Sequence, residues 1–401
     1  MLLQPVMTLH FIHLPALPLD VVVEIAMWMG EGRHVKKLIR FAGTAKTARA
    51  AALPVVLRTL AVSVDHVHHF MALDQIRFEL PTRTLLLAIP VVSVSSHYTR
   101  PLQRLKKVSS LAIVALPPDL LDDTIYAGNT PETFSAILGL PLLQANLGRL
   151  SLACNLAEPL DIGQLHLDRL GRLTELRLGL HSKTLTVSST FSLPDTIRVL
   201  CLSPDVVVVF AALELRLPAL TSLAVMHHDR TTVSWPGDHV WKFPPPTQPS
   251  VVALGSAFRH FVGGHNTVTD VLVEDVEVNE DMLEALILLP HLTRLSVHPL
   301  TTARSAFTEA HAIQFLACKV LGRLESLKVL HLGTRVTSQP HPTYEWEQVV
   351  AAIPPSLQLL QEPQFSSCPP YAFDWANDEL KDLTFRNPDE RSDTSEDEDE
   401  N

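Results

Sequence analysis

Aromatic residues are scarce, at 6% of 401 residues, so the core cannot be a stack of rings and must consist of aliphatic layers. Repeat solenoids have such a core, and so do many α/β folds. Cysteine is scarcer still. Cys154, Cys201, Cys318 and Cys368 make up the total of 4, and none stands in a C-x-x-C pair. That argues against a disulfide framework and fits a reducing compartment. Cys154 and Cys201 lie inside apolar strand motifs, where buried free thiols are expected.

Long apolar runs are missing as well. Met1 to Leu19 is apolar but broken by Pro5, His10, His13, Pro15 and Pro18, and it lacks a basic leader. No uninterrupted run is long enough to span a bilayer. The expectation is a soluble, intracellular protein, cytoplasmic and/or nuclear, with no membrane partner. Basic residues do not cluster: Lys36-Lys37 and Lys106-Lys107 are isolated pairs, so no nucleic-acid groove is expected. The net charge is -11, and the segment Asp389 to Asn401 concentrates much of it, with eight acids against Arg391.

Catalytic signatures are absent too. There is no G-x-S-x-G elbow, P-loop or G-x-G-x-x-G, and Gly263-Gly264-His265 reads as a turn with no following G-K-[ST]. The histidine groups His66/His68/His69 and His227/His228 form no H-x-x-x-H or H-E-x-x-H helix, so surface or half-buried histidines are expected rather than metal ligands. Asp119, Asp122 and Asp123 suit a helix start without catalysis. No enzyme activity, catalytic residue, metal or cofactor is expected.

What the chain does have is a recurring L-x-x-L-x-L pattern, with Val or Ile allowed. It occurs at Leu57-Leu60-Val62, Val108-Leu111-Ile113, Leu147-Leu150-Leu152, Leu173-Leu176-Leu178, Ile197-Leu200-Leu202 and Leu220-Leu223-Val225. It returns at Val268-Val271-Val273, Leu292-Leu295-Val297 and Leu327-Leu330-Leu332, with a weaker copy at Thr82-Leu85-Leu87. From Leu147 to Leu292 the copies start about 24 residues apart, or twice that across one gap. The gap holds Phe243-Pro244-Pro245-Pro246, a proline-rich loop that replaces or hides one repeat. Alternate residues of a strand share a face, so the later apolar positions of each motif enter one core. A single strand cannot bury that face, but stacked neighbours can. Helices are expected between strands: from Thr130-Pro131-Glu132 through Leu140, from an Asn279 cap through Leu289, from Ser305 to Leu324, and from Glu345 to Ile353.

These residues resemble the leucine-rich-repeat superfamily over roughly residues 55–335. The resemblance implies parallel strands on one side of a solenoid and helices on the other. The Asn or Cys that usually follows the strand is found only as Asn155; elsewhere His181, Asp205, His228, Val276, Leu300 and Arg335 stand in its place. The repeats are therefore degenerate. An α/β domain with ordinary buried parallel strands is the alternative.

Ahead of the repeats, Leu17-Pro18-Leu19-Asp20 opens a helix carrying Ile25, and Val35, Leu38, Ile39 and Phe41 form a second apolar segment. A third runs from Thr44 to Ala52, and Leu53-Pro54 leads toward the first strand. This stretch resembles an F-box of the type found in fungal leucine-repeat proteins. The family implies a small all-α bundle that docks on the Skp-type adaptor of a cullin ubiquitin ligase, with Leu17, Pro18, Leu19, Ile25 and Leu38 at or supporting that interface. A plain helical cap on the first repeat is the other reading.

The expected organisation is an apolar leader at 1–13, the F-box-like module at 14–57 and a degenerate repeat domain at 58–360 with a proline-rich insertion at about 231–250. A C-terminal segment follows at 361–401, with a disordered acidic tail. Strand phase puts Glu175, Arg177, Asp270, Glu274, Arg294, Ser296, His298 and His331 on the concave face, a charge mixture that suits an unknown protein target. Thr394 with Asp397, and Ser395 with Glu398, resemble acidophilic kinase acceptors. The expected function is a substrate-recruiting ligase subunit, or else a repeat scaffold with no ligase link.

Overall fold

The structure is a computed structural model that describes residues 46–62, 67–73, 80–90, 95–116, 130–156, 159–182, 184–213, 215–226, 233–234, 240–241, 250–299, 309–332 and 354–361. The chain divides into two compact units, Met1–Thr59 and Leu60–Asn401.

In the first unit the described element is helix α1, Lys46–Val56. Ala48, Ala51 and Ala52 are buried, a spacing of three and four that makes one small-residue stripe. The helix passes the expected exit at Leu53-Pro54 and stops at Val56. Pro54 forfeits one hydrogen bond to the preceding turn, but only two residues follow it. The proposed adaptor contacts Leu17, Pro18, Leu19, Ile25 and Leu38 lie outside the described residues, as do Thr394 and Ser395.

The rest is α/β. Strands β1 (Thr59–Val62), β2 (Thr84–Pro90), β3 (Ser110–Leu116), β4 (Arg149–Leu156), β5 (Glu175–Ser182) and β6 (Val199–Leu202) come first. Then follow β7 (Ser222–Met226), β8 (Asp270–Val276), β9 (Arg294–Pro299), β10 (Val329–Leu332) and β11 (Leu359–Gln361). They form one 11-stranded sheet whose spatial order is the chain order. Every neighbouring pair from β2 to β11 is parallel. A doubly wound sheet reverses its order at a switch point; this one does not.

In-register stacking turns the sequence motif into continuous rows. Leu85, Leu111, Leu150, Leu176, Leu200, Leu223, Val271, Leu295 and Leu330 form one row, each at 0% or 1% exposure. Two residues on, Leu87, Ile113, Leu152, Leu178, Leu202, Val225, Val273, Val297 and Leu332 form a second. The residue three before each first-row member, from Val108 to Leu327, is buried as well. Each such Leu contributes about 1.5–3 kcal/mol through burial.

Short helices connect the strands. They are α2 (Val67–Ala72), α3 (Ser96–Leu102), α4 (Thr130–Leu138), α5 (Pro141–Asn146), α6 (Pro204–Ala211), α7 (Val251–Gly263), α8 (Glu280–Ala285) and α9 (Glu309–Phe315). Helix α6 packs on β5, β6 and β7, and α7 lies between α6 and α8. The helix expected from Thr130 ends at Leu138, and Pro141 starts a separate one, because a proline favours the first turn and cannot continue a helix. The helix expected over Ser305 to Leu324 is described from Glu309; it turns into a π segment at Leu316–Val320 and a 3-10 turn at Leu321–Arg323. The helix expected at Glu345 to Ile353 lies outside the described residues. No helix among the described residues is long and apolar enough to cross a membrane.

The gap in the repeat period adds no strand between β7 and β8 in the main sheet. β7 and β8 pair directly, Ser222 with Asp270 through Met226 with Glu274. Within the insertion, Val233–Ser234 pairs antiparallel with Val240–Trp241, apart from the main sheet.

Two polar devices brace the turns. At the strand entries, hydroxyls donate to the preceding repeat: Thr174 to the Gly148 carbonyl, Thr221 to Arg198, Thr269 to Thr221 and Thr293 to Thr269. At the exits, two residues standing where Asn usually follows the strand bond each other, His181 Nδ1 with Asp205 Oδ2 at 2.7 Å. Between helices, the Asn279 side chain accepts from the Met282 N–H and donates to the Val251 carbonyl. Gly255 leaves room for it, since a Cβ there would stand 2.3 Å from the Asn279 Oδ1.

Leu200→Ala, in the first buried row, is expected to cost about 2–5 kcal/mol in denaturant unfolding. Leu288→Ala, 43% exposed, is expected to stay within about 0.5 kcal/mol of the parent. Gly255→Ala is expected to cost about 1–3 kcal/mol by overpacking, and Asn279→Ala in the same chain is expected to recover part of that loss.

Candidate functional site

The side chains between the leucine rows point to the opposite face of the sheet. Register places all eight sequence-selected residues there. Glu175 and Arg177 lie on β5, Asp270 and Glu274 on β8, Arg294, Ser296 and His298 on β9, and His331 on β10. Sharing that face does not leave them fully exposed. Arg177, Ser296 and His331 are buried at 8%, 5% and 5% exposure, and the other five are half-buried. Neighbouring strands stand about 4.8 Å apart, so each side chain is shielded by those beside it.

The charges are largely matched within the face. Arg149 Nε lies 3.3 Å from Glu175 Oε1, and Arg294 Nη1 lies 3.4 Å from Asp270 Oδ1. Asp270 also accepts from the Thr269 hydroxyl at 2.8 Å and the Ser222 hydroxyl at 3.5 Å. Burial pushes the Glu175 carboxyl above its usual range, and the Arg149 guanidinium opposes the rise. Burial, and then Arg294, hold the His331 imidazole below its usual value. Ser296 Oγ and His298 Nε2 are 2.8 Å apart.

Sequence reasoning missed the middle of this face. Cys201, Ala224 and Leu272 form a buried apolar cluster with Met226 against it. Met226 Sδ receives contacts from Cys201 Sγ at 3.5 Å and from Arg177 Nη2 at 3.6 Å. The signal was present, because these residues occupy the same strand phase as Arg177 and Ser296, but a search for polar residues passes over them. The face is thus a short apolar strip between two groups of mixed charge.

Ser296 with His298 has the reach of a nucleophile and base, yet acyl transfer also needs free donors for an oxyanion. The backbone of β9 is paired with β8 on one side and β10 on the other. Cys154 lies close to the His181–Asp205 pair through a backbone bond to His181, but burial pushes its thiol up to about 12, so it is not a thiolate at neutral pH. Cys154, Cys201 and Cys318 are free thiols, the first two buried and the third exposed. Among the described residues no group of His, Cys, Asp or Glu could hold a metal ion; His66, His227 and His228 lie outside them.

Two clefts lie away from this face. One, of about 760 Å³, includes Leu215, Arg216, Arg259, His260, His265 and Asp281 in its lining. The other, of about 660 Å³, includes Glu132, Asp161, His166 and Asp168. His166 has φ 50°, the left-handed region, between two 3-10 turns.

No protein-family model matches the sequence, and no curated protein matches it. Among solved structures it is similar to a Bacteroides fragilis protein determined as a structural-genomics target. That likeness has 11% sequence identity and a TM-score of 0.43, over 86% of this chain and 85% of the other.

Mass-mapped maleimide labelling of the native protein is expected to modify Cys318 rapidly and to leave Cys154 and Cys201 unmodified until the chain unfolds. Labelling of Cys201 at the Cys318 rate contradicts the buried apolar strip.

Proposed function

We propose that this protein is a non-enzymatic, substrate-recruiting subunit of a cullin-type ubiquitin ligase. In this reading an F-box-like helical module grips a Skp-type adaptor, and a leucine-rich-repeat solenoid holds a protein target on its sheet face. The observation that carries the repeat half is the coincidence of chain order and strand order in a sheet whose pairs from β2 to β11 are parallel. A sheet that grows only at its end presents one side chain row per repeat along a single face, which suits an extended macromolecular contact. Matched charges around an apolar strip favour a protein target over nucleic acid. The ligase half rests on the sequence resemblance at Leu17-Pro18, Ile25 and Leu38. It puts the protein where the adaptor works, in the cytoplasm and/or nucleus.

The test is co-purification of the intact chain with a Skp-type adaptor, beside the double variant Leu17→Asp, Ile25→Asp. The expected result is retention of adaptor by the parent chain and its loss from the variant. No retention by the parent, or equal retention by both, removes the ligase link. A repeat scaffold whose first helices serve as a solenoid cap would then remain.

A further inference from the structure

We propose that His265 is an acid-sensitive latch, whose protonation frees the turn after α7 and uncovers the Phe261 ring. The proposal concerns the helical side of the sheet and is independent of the function proposed above.

His265 is 4% exposed. Its Nδ1 lies 2.7 Å from the Phe261 carbonyl. A carbonyl only accepts, so Nδ1 carries the proton and Nε2 holds a lone pair. That Nε2 is buried and has no hydrogen-bond partner. The imidazole stacks on the Phe261 ring, with centroids 4.6 Å apart and planes at 25°. The backbone extends the tie. The His265 N–H donates to the Val262 carbonyl, and the His265 carbonyl accepts from the Val268 N–H. Val268 opens the repeat motif that enters β8, and it is 0% exposed. His265 therefore anchors the turn at both ends, its side chain on Phe261 of α7 and its carbonyl on the Val268 N–H at the start of the next strand.

A second proton would turn Nε2 into a cationic donor facing no acceptor, inside an apolar contact. Such a burial is costly. The cleft offers little compensation. Its charged and titratable lining consists of Arg216 from the segment after α6, Arg259 and His260 from α7, and Asp281 from α8. Glu284 of α8 already engages Arg259 at 3.4 Å. None of these groups bonds the imidazole. Burial accordingly lowers the His265 value from its usual 6.5, and the Phe261 bond opposes that only in part. An open turn, with its imidazole in water, takes the proton first. The closed turn is therefore fully favoured above the usual value and loses ground as pH falls below it, by up to about tenfold per pH unit.

The test is amide hydrogen exchange on the full chain at about pH 7.5 and about pH 5.5, corrected for intrinsic exchange, with His265→Gln alongside. Gln keeps a neutral donor for the Phe261 carbonyl and cannot take the proton. The parent is expected to lose protection at Gly264 to Val268 on acidification, while Leu176 to Leu178 keep theirs. The variant is expected to show no such loss. Unchanged protection in the parent, or an equal loss in the variant, overturns the latch. Should the variant fail to fold, NMR titration of the parent's His265 ring decides: a midpoint below 6.5 that coincides with loss of protection in the turn supports the latch, and any other result overturns it.

Discussion

Stacking of aliphatic rows across parallel strands is the constraint on which the sheet depends. No single repeat closes a core: Leu176 on β5 is covered in its row by Leu150 and Leu200 from the strands on either side. Each strand must therefore lie beside its sequence neighbour in the same register, and the row continues only as long as aliphatic residues recur at the same phase. The scarcity of aromatics follows from this geometry. A layer spaced by adjacent strands accommodates Leu, Val and Ile at each step, and the largest fully buried rings among the described residues, Tyr98, Phe134, Phe210 and Phe258, lie on helices.

Polar groups are subordinate to that stack. The strand-entry threonines spend their hydroxyls on carbonyls of the preceding repeat, and the His181–Asp205 pair joins neighbouring exits. These bonds tie successive repeats together at four strand entries and at the His181–Asp205 exit. The face opposite the leucines is then a by-product of alternation. Whatever residue stands between two core positions lies on that face, and its exposure is set by the side chains on the neighbouring strands.

Much of this was legible beforehand. The L-x-x-L-x-L phase marked ten of the strands and put all eight polar positions on one face, because period-two alternation leaves no other choice. The proline-rich gap was legible only in part. Its length suggested a missing repeat, but only pairing shows that β7 and β8 meet directly. Helix α1 ran past Pro54 because one lost hydrogen bond near a helix end is a small penalty. β11 was missed because Leu357-Leu360 lacks the third apolar position. Burial of Arg177, Ser296 and His331 could not be read from phase at all, since it depends on the neighbouring strands, and the Cys201–Met226 strip was hidden by its apolar composition.

The most direct test of in-register, chain-order stacking is a cross-link between register partners on β6 and β7. Cys201 and Ala224 face each other there, at a separation within disulfide reach. Mild oxidation of the Ala224→Cys variant is expected to yield an intramolecular disulfide between positions 201 and 224 in nearly every molecule, identified by peptide mass, with thermal stability retained. Cross-linking of position 224 to Cys318 or Cys368, or only between molecules, would contradict the row of neighbouring parallel strands.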